Sequence, residues 1–210
     1  MTVFEYCNKI AERTISYLTT MTREGFVFRV DTRLRPMGSK GPLAQSIGAF
    51  VNYYTSQAET WERQALLRAR FAAGDRQVAS RFIASLQTLI FREADKAGLA
   101  RDIADMRRKM EQELGKEGPG QYNIKQGAGG LVDIEFIVQY LQLLHGRNHP
   151  RVRIPGTYNV LRALRREGIL DAEDFADVQQ AYLFMRRLES RLRIVSNKAT
   201  SNLDRDPNML

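Results

Sequence analysis

Apolar positions recur at helical spacing along the first twenty residues. Phe4, Cys7, Ala11 and Leu18 fall on one stripe, with Ile10 and Tyr17 beside it and Glu5, Lys9, Glu12 and Arg13 elsewhere. After Gly25 the period drops to two. Phe26, Phe28, Val30, Thr32 and Leu34 share one face of residues 26–35, and Val27, Arg29, Asp31, Arg33 and Arg35 share the other. This predicts an amphipathic strand with a charged outer face. Pro36 stops it, and Gly38-Ser39-Lys40-Gly41-Pro42 predicts a turn-rich loop. Residues 43–45 read as a second short strand, with Ser46 as N-cap of a helix over 47–54.

Helical spacing then dominates. Helices are expected over 59–67, 75–94, 99–114, 131–145, 157–167 and 171–195, with Ile103, Met106, Met110 and Leu114 as one stripe. The last helix carries Val178, Tyr182, Leu188, Leu192 and Val195 at near-helical spacing, while the Gly-rich residues 115–130 interrupt the pattern. The expected class is mainly α (α+β). It comprises a strand-containing piece over 1–74, a helical bundle over 75–195 and a loose polar tail over 196–210.

Composition narrows the partners more than the fold. Of 210 residues, 43% are hydrophobic and 27% charged, an ordinary globular mixture. No apolar run approaches the roughly 20 residues of a membrane-spanning helix, so no membrane partner is expected. The single cysteine, Cys7, cannot form an internal disulfide, which fits a reducing cytoplasm. A formal charge of +8 leaves nucleic acid, anionic membranes and phosphorylated small molecules open. Helical periodicity scatters Tyr53, Tyr54, Arg187, Arg191 and Arg193, so no nucleic-acid surface is expected.

Asp31 is the unusual residue of the charged face, because aspartate is a poor strand former. One reading is an exposed ion-paired face with Asp31 between arginines. The other makes Asp31 a divalent-metal carboxylate with Arg33 and Arg35 on phosphates, since Mg²⁺ takes few protein carboxylates plus substrate phosphates. The Gly-rich segment before residue 131 also has two readings. Its glycines and the helix N-terminus suit a phosphate, with Lys125 adding a point charge, or the segment is a tight interhelical turn. Asp133 and Glu135 sit about 200° apart round a helix and cannot chelate one ion. Glu135, amid apolar neighbours, reads as a structural carboxylate paired with Arg or Lys. Trp61, beside Leu66 and Leu67, reads as core rather than as an adenine platform. His145 and His149 have helical metal-ligand spacing, but Gly146 and Pro150 spoil the turn and no third ligand joins them.

Four ordered blocks carry a family resemblance. They are Val30-Asp31-Thr32-Arg33-Leu34-Arg35-Pro36 with Gly41-Pro42-Leu43, then residues 60–66, residues 124–136, and residues 181–189. Together they resemble the glutamine synthetase adenylyltransferase family over nearly the whole chain. The resemblance implies polymerase-β-type nucleotidyltransferase halves, each followed by a helical domain. One half moves AMP from ATP to a tyrosine of glutamine synthetase; the other removes it by phosphorolysis. Family sites use Mg²⁺ and three carboxylates, of which Asp31 matches the third, as catalytic and metal-binding residue. Arg33, Arg35 and Lys125 are then the expected nucleotide or phosphate contacts. The Asp-x-Asp pair after a Gly-Ser turn has no match here. Gly38-Ser39 stands in the wrong order, and Asp204-Arg205-Asp206 lies in the tail. The chain is therefore expected to be a fragment with an incomplete site, inactive alone. Val132-Asp133 resembles the adenylylating half, where the removing half more often has Arg-Glu. Glutamine synthetase and a PII-type signal protein are the implied partners. The alternatives are the removing half, or a helical binding module without nucleotide.

Overall fold

The structure, a computed structural model, describes residues 1–25, 28–197 and 200–204. It is mainly helical and divides into two compact units. The first holds the described residues of Met1–Ala65 with Phe71–Leu89, and the second holds Leu66–Arg70 with the described residues from Ile90 onward.

The first unit opens with α1 (Val3–Thr19), started by a reciprocal cap. The Thr2 hydroxyl accepts the Glu5 amide, and the Glu5 carboxylate accepts the Thr2 amide. No residue of α1 is buried, and Phe4, Tyr6 and Tyr17 on it are exposed. The described part of the alternating segment does not form a strand. Phe26 and Val27 lie outside the described residues, and 28–35 run without ladder pairing, leaving Phe28 and Leu34 exposed. Alternation supplies a pleat, but a strand also needs a backbone beside it. Residues 43–45 are not a strand either. There the Asn8 side chain takes the place of a neighbouring strand, donating to the Ala44 carbonyl and accepting the Ala44 amide, both at 3.1 Å.

Ser46 caps α2 (Ile47–Ser56) by accepting the Ala49 amide at 3.1 Å. Next come α3 (Thr60–Leu66) and α4 (Arg76–Ile90). The small core of this unit is aromatic and aliphatic. Phe50 stacks on Tyr54 at 4.4 Å and meets the edge of Phe82 at 4.8 Å, with Leu86 and Leu89 buried. In α3 the buried residues are Glu62, Arg63 and Gln64, whereas Trp61 is 38% exposed. Trp61 is thus not core. The polar side of this short helix faces inward because Glu62 finds donors there, the Tyr53 hydroxyl and the Glu59 amide, each at 2.9 Å.

The second unit is built round α6 (Leu131–His145). It packs against α5 (Lys96–Met110), α7 (Thr157–Arg166) and α8 (Ala172–Ser196). Val138, Leu143, Val152, Val160, Leu161 and Leu164 are almost fully buried there. Asp95 and Asp171 cap α5 and α8 through their carboxylates. After α5 a π-helical turn runs over Glu111–Gly115, leaving Leu114 exposed. The two strands found among the described residues lie in this unit. β1 (Gln121–Asn123) pairs antiparallel with β2 (Asn202–Asp204), Tyr122 opposite Leu203. Part of the expected loose tail is therefore ordered by pairing. Residues 198, 199 and 205–210, including Arg205 and Asp206 of the Asp-x-Asp spacing, lie outside the described residues.

Candidate functional site

Asp31 sits in the first unit at the entrance to a turn closed by the 3-10 helix Gly38–Lys40. Arg33 folds back onto it. Its Nε donates to both carboxylate oxygens at 3.0 and 3.1 Å, its Nη2 donates to Oδ2 at 2.7 Å, and its backbone amide donates to Oδ1 at 3.0 Å. These hydrogen bonds from Arg33 bring the Asp31 pKa down to about 2. Both side chains remain more than half exposed.

Arg35 is spent differently. It donates to the carbonyls of Thr32, Gly41 at 3.1 Å and Ser39 at 3.4 Å, so its guanidinium holds the turn together. Gly41 is required there, since a Cβ would run into the Pro36 carbonyl. Asp31 and Arg33 are thus brought together as an ion pair, with Arg35 bracing the loop behind them.

Among the described residues, no three His, Cys, Asp or Glu side chains converge closely enough to hold a metal ion. Both Asp31 oxygens already accept N–H groups. The residues described here do not by themselves fit Mg²⁺.

Lys125 belongs to the second unit, half-buried in the wrap before α6. That wrap does not present its helix N-terminus to an anion. The amides of Leu131, Val132 and Asp133 donate to the carbonyls of Ile124, Lys125 and Gly130 at 2.9–3.0 Å. Gly130 lets the chain close, because a Cβ there would meet the Gly127 and Lys125 carbonyl oxygens. Of the two readings of the Gly-rich segment, the backbone follows the tight turn.

Sequence reasoning missed the centre of this wrap. Arg107 is 7% exposed and donates to Asp133 and to the Gly127 carbonyl. The signal was available, since Arg107 continues the four-residue spacing of buried Leu99 and Ile103. Glu135 is paired with Arg68 at 2.6 Å. His149 meets Glu167 at 3.0 Å.

Residues 3–85 match the family model described as glutamate-ammonia ligase adenylyltransferase. The bifunctional glutamine synthetase adenylyltransferase/adenylyl-removing enzymes of Hahella chejuensis, Mycobacterium leprae and Methylococcus capsulatus are 36%, 37% and 39% identical over 96%, 97% and 90% of the chain. The chain belongs to the glutamate-ammonia ligase adenylyltransferase family. Its residues 103–210, just over half the chain, match the family model described as GlnD PII-uridylyltransferase, so the helical unit is of that type as well. The chain spans about a fifth of the length of the adenylyltransferase relatives it matches. No helix among the described residues is long and apolar enough to cross a membrane.

Proposed function

We propose that the chain acts in the transfer of AMP from ATP to a tyrosine of glutamine synthetase. Asp31 is a carboxylate of the transfer site, and Arg33 turns from it to incoming phosphate. The observation that carries this reading is the identity of 36–39%, spread over nine-tenths or more of the chain, with enzymes named for that activity.

The geometry refines the roles. With Arg33 on it the Asp31 pKa is about 2, and with Arg33 turned to phosphate it is near its ordinary value. In either state the carboxylate is ionised at neutral pH and is a weak proton acceptor. Asp31 therefore contributes charge and position, not general base catalysis. Arg33 is the phosphate contact, because its exposed side chain can exchange a carboxylate for a phosphate of like geometry. Arg35 supports it by ordering the turn. Lys125 is kept as a phosphate contact on charge alone. Mg²⁺ needs further carboxylates beside Asp31, so residues 1–210 alone are inactive in this reading. The adenylylating direction is the one that residues 30–32 and 131–135 resemble. A PII-type signal protein is the proposed regulator, and the cytoplasm the compartment.

The test places residues 1–210 in register within the Methylococcus capsulatus relative and follows labelled AMP on glutamine synthetase. Label entering glutamine synthetase supports the reading. Label only leaving adenylylated glutamine synthetase assigns the chain to the removing reaction. A properly folded chimera with neither activity contradicts it.

A further inference from the structure

The second unit contains a cavity of about 190 Å³ bounded by α6, α7 and α8, which the transfer reading does not use. Its α6 wall is polar where helix packing ordinarily places apolar side chains. Glu135, Gln139 and Gln142 are spaced four and three apart, hence on one face. Gln139 and Gln142 are 8% and 3% exposed. The Gln142 amide nitrogen is fixed by the carbonyls of Val152 and Ile154 at 2.7 and 2.9 Å, which locks this wall in place.

Two cations line the same space. Arg68 gives one N–H to Glu135 at 2.6 Å, and Arg186 gives one to Glu189 at 2.7 Å. A guanidinium has five donors, so each fork keeps capacity for a second acceptor. Glu189 is buried and also bound by Arg193 at 2.7 Å. Arg68, Arg186 and Arg193 set against Glu135 and Glu189 leave the site one positive charge in excess. Tyr182 and Thr157 also line this space. The Tyr182 ring is stacked on Tyr158 at 6.5 Å, and the Tyr158 hydroxyl accepts from Gln179 at 3.1 Å. Arg68 and Arg186 remain half or more exposed, and each is oriented toward this space by the carboxylate that it pairs with.

We propose that this cavity binds a small metabolite through an oxyanion, a carboxylate or a phosphate. Arg68 and Arg186 hold the charge, and Tyr182 and Thr157 supply neutral hydrogen bonds. The volume is below the roughly 300 Å³ at which pockets begin to enclose drug-sized ligands, so the ligand that fits within it is small. The site lies wholly in the second unit and stands independently of the transfer reading.

The experiment titrates the ¹⁵N-labelled chain with inorganic phosphate or with succinate at constant ionic strength. The expected result is saturable shifts clustered at Gln139, Thr157 and Tyr182. Arg68→Gln and Arg186→Lys, the latter keeping a cation beside Glu189, weaken binding about tenfold or more. Saturation by phosphate alone assigns a phosphate ligand, by succinate alone a carboxylate, and by both an oxyanion of either kind. Absence of saturable shifts in the unsubstituted chain, or shifts spread over surface arginines, overturns the proposal. The map of the unsubstituted chain decides even where a variant fails to fold.

Discussion

Arg107 grips Asp133 through two nitrogens, Nε to Oδ1 at 2.5 Å and Nη2 to Oδ2 at 2.9 Å, and so ties α5 to the start of α6. Nη2 also reaches the Gly127 carbonyl at 2.8 Å, which stitches the Gly-rich wrap to both helices. Removing Asp133 strands a guanidinium that is 7% exposed, leaving Glu111 at 3.4 Å as its remaining anion. Asp133→Ala is expected to cost about 3 kcal/mol. Urea unfolding checks this: the midpoint falls with the slope unchanged. An unchanged midpoint would show that the clamp does not hold the wrap.

The wrap also depends on a missing side chain. A Cβ at Gly130 would lie 2.8 Å from the Gly127 carbonyl oxygen and 2.9 Å from that of Lys125, both backbone atoms with little room to move. Gly130→Ala is expected to lose roughly 1–3 kcal/mol in the same denaturation experiment. Gly129→Ala meets open space but sits at φ +71°, so its smaller loss, about 1 kcal/mol, comes from backbone strain alone. Equal tolerance of both substitutions would remove the steric argument.

Local signals made much of the helical scaffold legible. Ser46 and the periodic run from Leu131 to His145 end where hydrogen bonds and apolar spacing place them. Residues 28–35 misled because alternation describes a face and says nothing about whether a neighbouring strand exists. Trp61 misled because its apolar neighbours Leu66 and Leu67 do not fix which side of so short a helix turns inward, and the inward positions of α3 went to Glu62, Arg63 and Gln64. The pairing of residues 121–123 with 202–204 joins short polar segments some 80 residues apart, and no local pattern announces it. At the candidate site, the charged face drew attention to Asp31. Its closure by Arg33, and the diversion of Arg35 to loop carbonyls, depend on a turn that periodicity does not encode.

Asp31 offers a direct electrostatic check. Its pKa is depressed, so its favourable pairing is fully present above the ordinary carboxylate value near 3.9 and is lost as pH falls through about 2. A ¹³C carboxyl titration should place the Asp31 midpoint near 2. Arg33→Ala should return it to the ordinary range. A midpoint that does not respond to Arg33→Ala would assign the depression to another group.

His145 predicts a different pH window. Burial first, then His149 and Lys96, lowers its pKa, so the folded protein resists a proton that the unfolded chain accepts near pH 6.5. That contribution to stability is present above pH 6.5 and is lost as pH falls below it. Glu167, held low chiefly by its hydrogen bond with His149, contributes its own loss only further down, in the carboxylate range. Melting temperature should therefore decline between about pH 7 and pH 5, and His145→Gln should flatten that decline. A decline of the same size in the variant would contradict the assignment.

The most direct measurement is AMP transfer to glutamine synthetase by the Methylococcus capsulatus chimera carrying Asp31→Asn, beside the unsubstituted chimera and the free chain. Asparagine keeps the shape of Asp31 and removes its charge. Its side chain is exposed, so the fold should survive and the melting temperature fall by no more than the small contribution of an exposed ion pair. The account predicts transfer by the unsubstituted chimera, a loss of about 100-fold or more on substitution, roughly 2.7 kcal/mol of barrier, and none by the free chain. Near-normal transfer by the Asp31→Asn chimera, or robust Mg²⁺-dependent transfer by residues 1–210 alone, would contradict it.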